Sequence, residues 1–205
     1  MHDTQPDTDQ LLKRVSAGDP SATQELLDRY RPRLRAMVAV HLDQRISARI
    51  DPSDVVQEAM VEALAKLPSY AQERTISFYP WLRQIAWQRL VKLHKKHLAA
   101  TRRSVKREDR AELPLSDDSI IQLADRLASS GTEPGQALVK EEIRERVRAA
   151  LDELRYADRE VLVMRYLEHL SIKEISASLE VTQDTIKKRH TRALERLERV
   201  LGDTS

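Results

Sequence analysis

Four glycines in 205 residues constrain this chain more than any other feature. Tight hairpins, phosphate-cradling loops and dinucleotide-binding turns need positive φ or a close backbone approach, and glycine is the residue that supplies both. A Rossmann fold or a P-loop is therefore excluded. Aromatic residues are only 4% of the chain, with a single Phe, so the core must be assembled from Leu, Ile, Val, Ala and Met, which favours helices over sheets. The apolar spacing is helical throughout, and no run alternates convincingly with period two. The absence of Cys rules out disulfides, thiolate zinc sites and a cysteine nucleophile, and is compatible with a reducing compartment. No stretch approaches the roughly 18 apolar residues of a membrane span, and the polar, acidic start of the chain has no apolar signal region. The expectation is a soluble, cytoplasmic, all-α protein with no membrane contact.

Helix punctuation divides the chain. Asp19-Pro20-Ser21 opens a helix carrying Leu26, Leu27, Tyr30, Leu34, Met37, Val38 and Val40, with Pro32 as an internal irregularity. Asp51-Pro52-Ser53 opens the next, where Ser53 fits the N-cap, Asp54 complements the positive helix terminus and Pro68 marks the stop, leaving 69–77 as a loop. A third helix starts near Pro80 and runs through Trp81, Leu82, Ile85, Ala86, Leu90 and Leu93. Residues 1–98 thus read as a bundle of three to four helices. Between 99 and 137 the composition turns to Ser, Asp, Pro and Gly, which predicts a flexible acidic linker with one weak helix at 120–127. Helical patterns return at 140–154, 157–167, 172–179 and 183–201, so 138–205 reads as a four-helix domain.

The net charge of +2 says little, but its distribution is uneven. From Arg83 to Arg110 ten basic residues face two acids, a local +8, whereas from Ala111 to Glu142 seven acids face two bases, a local −5. Basic patches on a near-neutral chain suit contact with nucleic acid at chosen places; a solvated helix end followed by a connector would look the same. The last two helical patterns sharpen the choice. A short helix, a turn and a long helix with a polar, basic outer face form a helix-turn-helix. In 183–201, Ala193, Leu194, Leu197, Val200 and Leu201 share one side, and Lys188, Arg189, Arg192, Arg196 and Arg199 share the other. Surface helices of bundles also segregate in this way.

The residues that carry a family likeness lie here. Leu154 to Leu197, with Arg159-Glu160-Val161-Leu162, Arg165-Tyr166-Leu167, Leu170-Ser171, Glu174-Ile175, Thr185-Ile186-Lys187-Lys188-Arg189 and Arg192-Ala193-Leu194, resembles the minus-35-binding region of bacterial RNA polymerase sigma factors. The likeness is greatest to the extracytoplasmic-function group, two helical domains joined by a linker. It implies that Lys188 and Arg192 read base edges, with Thr185, Lys187 and Arg189 at neighbouring DNA-contacting positions. Two departures stand out: Glu180 occupies a turn position where the family usually has Gly, and His190 interrupts the apolar stripe.

Asp54-Val55-Val56-Gln57-Glu58-Ala59-Met60 resembles the family's helix that docks on the clamp of the polymerase's largest subunit. On a helical wheel Val56, Met60, Ala63, Leu64 and Leu67 form the side expected to be buried. Asp54, Glu58 and Glu62 form an acidic stripe opposite, edged by Gln57 and Val61. Phe78, Trp81-Leu82, Ile85-Ala86 and the following basic run resemble the segment that captures the melted minus-10 strand. The contacts implied there are Trp87, Gln88, Arg89, Lys92, Lys95 and Lys96. Trp81 shares the register of Ile85 and reads as core, while Trp87 lies off it. Gln88 replaces the family's usual Asn in a loop expected to pocket a flipped base, and Lys92 stands where an acid is common.

By this resemblance the partners are core RNA polymerase, through the clamp and the flap of the second-largest subunit, and promoter DNA, with an anti-sigma protein as a possible further partner. The linker would thread toward the active and exit channels. No enzyme activity, cofactor or metal is expected. His94 and His97, three residues apart, could ligate a metal, but their cationic surroundings repel one and no acid pair completes the set. A stand-alone helix-turn-helix regulator would account for the C-terminal module and leave the docking helix and the Trp-Leu segment unused.

Overall fold

The computed structural model describes residues 5–42, 46, 50–98, 113, 115–129 and 137–202. Among these there is no strand, as the apolar spacing predicts. The chain forms two compact units, 1–113 and 114–205.

Among its described residues the first unit contains the helices α1 (Gln5–Ser16), α2 (Pro20–His41), α3 (Pro52–Glu73) and α4 (Phe78–Leu98). The sequence did not mark α1, whose Leu11 and Leu12 are buried and whose Thr8 hydroxyl hydrogen-bonds Tyr30 Oη at 2.7 Å. One of the few glycines makes the turn into α2. Gly18, at φ 84°, closes α1: its N–H bonds Val15 O at 2.9 Å, and Asp19 N–H bonds Arg14 O at 3.0 Å. Asp19 then caps α2, its carboxylate accepting from Ser21 N–H at 2.9 Å and Ala22 N–H at 3.3 Å, with Pro20 in the first turn. Hydrogen bonds from Ser21 and Arg14 pull the Asp19 carboxyl down to about 2.

Two expected boundaries of α3 move. Its N-cap is Asp51 rather than Ser53: Asp51 accepts from Ser53 N–H at 2.7 Å, and Asp54 returns a carboxylate oxygen to Asp51 N–H at 3.3 Å, a capping box. Pro68 does not stop the helix, which continues to Glu73 and ends at Arg74 in the left-handed region. Proline removes one hydrogen bond on the exposed side, while Leu67, Tyr70 and Ala71 stay buried on the other, and that burial outweighs the lost bond. The loop expected over 69–77 shrinks to 74–77. Here Tyr70 Oη donates to Ile76 O at 2.8 Å, and α4 begins at Phe78, ahead of Pro80. Tyr30, Tyr70, Phe78 and Trp81 gather at that corner. Tyr70 stacks on Trp81 with centroids 4.4 Å apart, and Phe78 lies 5.0 Å from Tyr30 and 5.5 Å from Trp81. Trp81 is a packing residue, as its register suggests.

The second unit opens with a difference from the linker reading. Residues 117–129, expected as connector with a weak helix, form α5 (Asp117–Ser129). Ser116 caps it by accepting from Ser119 N–H at 3.1 Å, and Ile120, Leu123 and Ala124 are buried. It packs on α6 (Ala137–Glu153), and Arg126 donates to Tyr166 O across the unit. Serines and aspartates coloured the composition, but apolar residues at 120, 123, 124 and 127 still make a helical stripe. The rest of the expected linker, 99–112, 114 and 130–136, lies outside the described residues. Next come α7 (Tyr156–Leu162), a π turn (Val163–Leu167), α8 (Ile172–Leu179) and α9 (Gln183–Gly202). α9 packs on α6, α7 and α8.

Candidate functional site

The helix-turn-helix is built from two matched caps and one strained residue. Ser171 and Glu174 form a capping box at the start of α8, with Glu174 N–H to Ser171 Oγ at 3.2 Å and Ser171 N–H to Glu174 Oε2 at 2.8 Å. Glu180 ends α8 at φ 52°, ψ 40°, the left-handed conformation that glycine adopts freely. The turn keeps the geometry a Gly would give, fixed by Val181 N–H to Ser176 O at 3.2 Å and Ser176 Oγ–H to Val181 O at 2.6 Å. Thr182 then caps α9, accepting from Thr185 N–H at 3.2 Å. Ile186, Ala193 and Leu197 are buried beneath.

On the outer side Lys187, Lys188 and Arg192 are exposed and Thr185 and Arg189 half-exposed, so the five expected minus-35 residues lie along one helix. Their tethering differs. Thr185 Oγ1 shares a hydrogen bond with Thr182 at 2.9 Å. Lys188 pairs with Asp184 of its own helix at 2.8 Å, which lowers the Asp184 carboxyl and raises the lysine. Arg192 Nη2 donates to Asp158 of α7 at 3.1 Å. Arg196 pairs with Glu153, which turns it toward α6. His190 is accommodated by an aromatic partner: its ring stacks on Tyr166 at 5.8 Å and its Nε2 hydrogen-bonds Tyr166 Oη at 3.2 Å. Burial, and then the nearby Arg165 charge, push the imidazole below its ordinary value.

In the first unit the expected docking residues split into two groups. Asp54, Gln57, Glu58 and Val61 are exposed and, with Arg89, border one shallow depression; Val61 is 65% exposed. Leu64, expected on the buried side, is 51% exposed and extends this apolar edge, because Leu67 and Ala63 fill the core beside it. Glu62 is different, with its side chain only 16% exposed. It accepts from Arg89 Nε at 2.7 Å and from Lys66 Nζ at 2.6 Å, and these partners lower its carboxyl, Lys66 first. Arg89 also lies 3.7 Å from Glu58. Two residues read from sequence as belonging to different surfaces, Glu62 and Arg89, therefore tie α3 to α4.

The expected loop at Gln88 is absent: Gln88 lies inside α4, exposed, and no loop pocket surrounds it. Helical spacing instead aligns Gln88 with exposed Lys92, Lys95 and Lys96. Trp87 is half-buried, edge-on to His41 at 4.9 Å and beneath the Arg83 guanidinium at 5.2 Å. His94 is buried and its Nε2 lies 3.1 Å from His41 O, while the His97 side chain falls outside the described residues. No described helix is long and apolar enough to cross a membrane.

Comparison with known proteins agrees with this arrangement. Residues 26–99 match the family Sigma-70 region 2, and residues 144–197 match Sigma-70, region 4. The ECF RNA polymerase sigma-E factor of Escherichia coli (strain K12) is 30% identical over 197 residues, 93% of this chain and 93% of that one. The RNA polymerase sigma-H factor of Pseudomonas aeruginosa is 26% identical over 198 residues, 97% of this chain and 95% of that one. A solved structure, CnrH in complex with the cytosolic domain of CnrY, shares the fold with a TM-score of 0.56 at 20% identity, covering 97% of this chain and 99% of that one. Both family regions occur on one chain, together with full-length relatives, which a stand-alone helix-turn-helix regulator would not show. The chain belongs to the extracytoplasmic-function sigma factors, which bind core RNA polymerase and direct it to promoters.

Proposed function

We propose that three surfaces divide the work of initiation. Asp54, Gln57, Glu58 and Val61 of α3, extended by Leu64, dock on the clamp of the largest polymerase subunit, with Glu62 bracing that face from beneath and Arg89 of α4 at its rim. Gln88, Lys92, Lys95 and Lys96 of α4 follow the melted minus-10 strand. Their row of cations suits phosphates, and Gln88 supplies a carboxamide that can pair with a base edge. Trp87 supports this helix through its packing on His41. Thr185, Lys187, Lys188, Arg189 and Arg192 of α9 meet the minus-35 duplex, with Lys188 and Arg192 at the bases and the others at the backbone. The flap of the second-largest subunit takes the second unit, and an anti-sigma protein covers the docking face in the resting cell. The chain makes and breaks no bond in this scheme; two weak readers gain specificity because the polymerase holds them at fixed spacing.

The observation that carries the reading is the exposed face of α3, where carboxylates flank an apolar edge with Val61 65% exposed while the opposite side of the helix is buried. Transcription in vitro with bacterial core polymerase, on the promoter upstream of the chain's own gene, tests it. Glu58→Arg should abolish both transcription and co-elution with core enzyme at unchanged helical content. Co-elution equal to the parent refutes the docking face.

A further inference from the structure

One residue beneath the minus-35 face was marked by none of the sequence patterns. Asp158 sits in the first turn of α7, where its own N–H bonds Arg155 O at 2.9 Å. A carboxylate at this position often caps the free N–H groups of its own helix. Asp158 instead reaches across to α9, and its partner among the described residues is Arg192 Nη2 at 3.1 Å.

The pair is asymmetric: the Asp158 side chain is 7% exposed, that of Arg192 55%. A carboxylate so far out of water is tolerated only when paired, so Arg192 is what keeps Asp158 in place. The reverse also holds. A guanidinium carries five N–H donors in one rigid plane; holding Nη2 on a buried carboxylate restricts that plane, while the side chain, 55% exposed, keeps its other donors available. Of the five α9 residues at this surface, Arg192 is the one whose described partner lies on a different helix. Lys188, by contrast, pairs within α9 with an Asp184 as exposed as itself, and such a pair holds little orientation.

We propose that Asp158 is a positioning residue for minus-35 recognition, setting the guanidinium of Arg192 so that its other donors meet one base edge. Arg reads guanine by a bidentate fork, whose selectivity depends on the plane being presented at one angle. Burial also keeps the carboxylate away from DNA phosphates, so the anchor adds orientation without repulsion. The inference rests on the reading of Arg192 as a base reader.

The test is a double-mutant cycle on the full-length chain with core polymerase. Discrimination is measured as the ratio of transcripts from the parental minus-35 element to those from single-base variants, at the base pair where Arg192→Ala has its effect. Asp158→Ala should lower discrimination about three- to tenfold, a fraction of what a bidentate base contact provides. Asp158→Asn, which keeps the shape and one acceptor, should lower it less. Neither should lower it further in the Arg192→Ala background. Discrimination within twofold of the parent for both variants, or an equal loss in the Arg192→Ala background, overturns the proposal and leaves Asp158 a strut between helices. If Asp158→Ala does not fold, Asp158→Asn decides alone by the same two criteria. If Arg192→Ala changes discrimination at no base pair, the assignment of Arg192 itself fails, and the positioning role fails with it.

Discussion

Replacing Glu180 by Gly should stabilise the second unit and leave the first untouched. A left-handed conformation costs a residue with a Cβ about 1–2 kcal/mol relative to glycine, and Glu180 holds φ 52°, ψ 40°. Glycine loses about 0.5–1 kcal/mol more chain entropy on folding, so the net gain is about 0.5–1 kcal/mol. For a unit of roughly 90 residues this raises the unfolding midpoint by about 3–6 °C. The two units can be followed separately, because both tryptophans, Trp81 and Trp87, lie in the first. Tryptophan fluorescence reports that unit, whereas far-UV circular dichroism reports helices of both. The expected result is a circular dichroism transition that moves up while the fluorescence transition stays in place. Glu180→Ala keeps the Cβ and should gain nothing. A Gly variant that melts at or below the parent refutes the strain argument, and would mean that contacts of the Glu180 side chain outweigh its backbone cost.

Three further outcomes follow from the geometry. Arg89→Ala removes the shared partner of Glu62 and Glu58 at the rim of the docking depression, so it should weaken co-elution with core polymerase; minus-10 loss with full core binding would instead make Arg89 a DNA contact. Asp19 has a folded carboxyl near 2 against an ordinary value of 3.8, so its stabilising effect is complete above about pH 4 and disappears as pH falls toward 2. Asp19→Asn should therefore flatten the acid limb of the fluorescence-detected stability curve, and an unchanged limb counts against the cap. His190 titrates below its ordinary value, so the unfolded chain takes up the proton first and the second unit should lose stability as pH drops below about 6.5. His190→Leu, packed on Tyr166, should remove that slope in circular dichroism melts.

Helix phase was legible in the sequence because burial writes it directly: Leu26, Tyr30, Leu34 and Met37, or Ile186, Ala193 and Leu197, repeat at helical spacing and are all buried. The helix-turn-helix and the outer face of α9 could be read on the same basis. What escaped was decided by contacts between elements. Pro68 is a stop signal locally, yet Tyr70 and Ala71 are held in the core beyond it. The serines and acids of 116–119 suggested a linker, and they are the capped first turn of a packed helix. No spacing rule shows that Arg89 reaches Glu62 across 27 residues, or that Asp158 reaches Arg192 across 34. Family likeness implies a loop at Gln88, whereas the apolar residues on both sides of it, Ala86 and Leu90, carry the helix straight through.

Extra residues usually hide in loops, but at Val163–Leu167 one is kept inside a helix. The wide turn is closed by Glu168 N–H to Val163 O at 3.1 Å, a ring one residue larger than the α-helical one. Deleting a single residue there would restore ordinary helical bonding without breaking the chain's course. It would also rotate everything on one side by about 100° relative to the other. Val163, Met164 and Leu167 are all buried, so such a rotation would expose part of the set. Length at this point is thus a fixed structural parameter, and it stays fixed past the turn, where the N–H of the fully buried Leu170 returns to Met164 O at 2.9 Å.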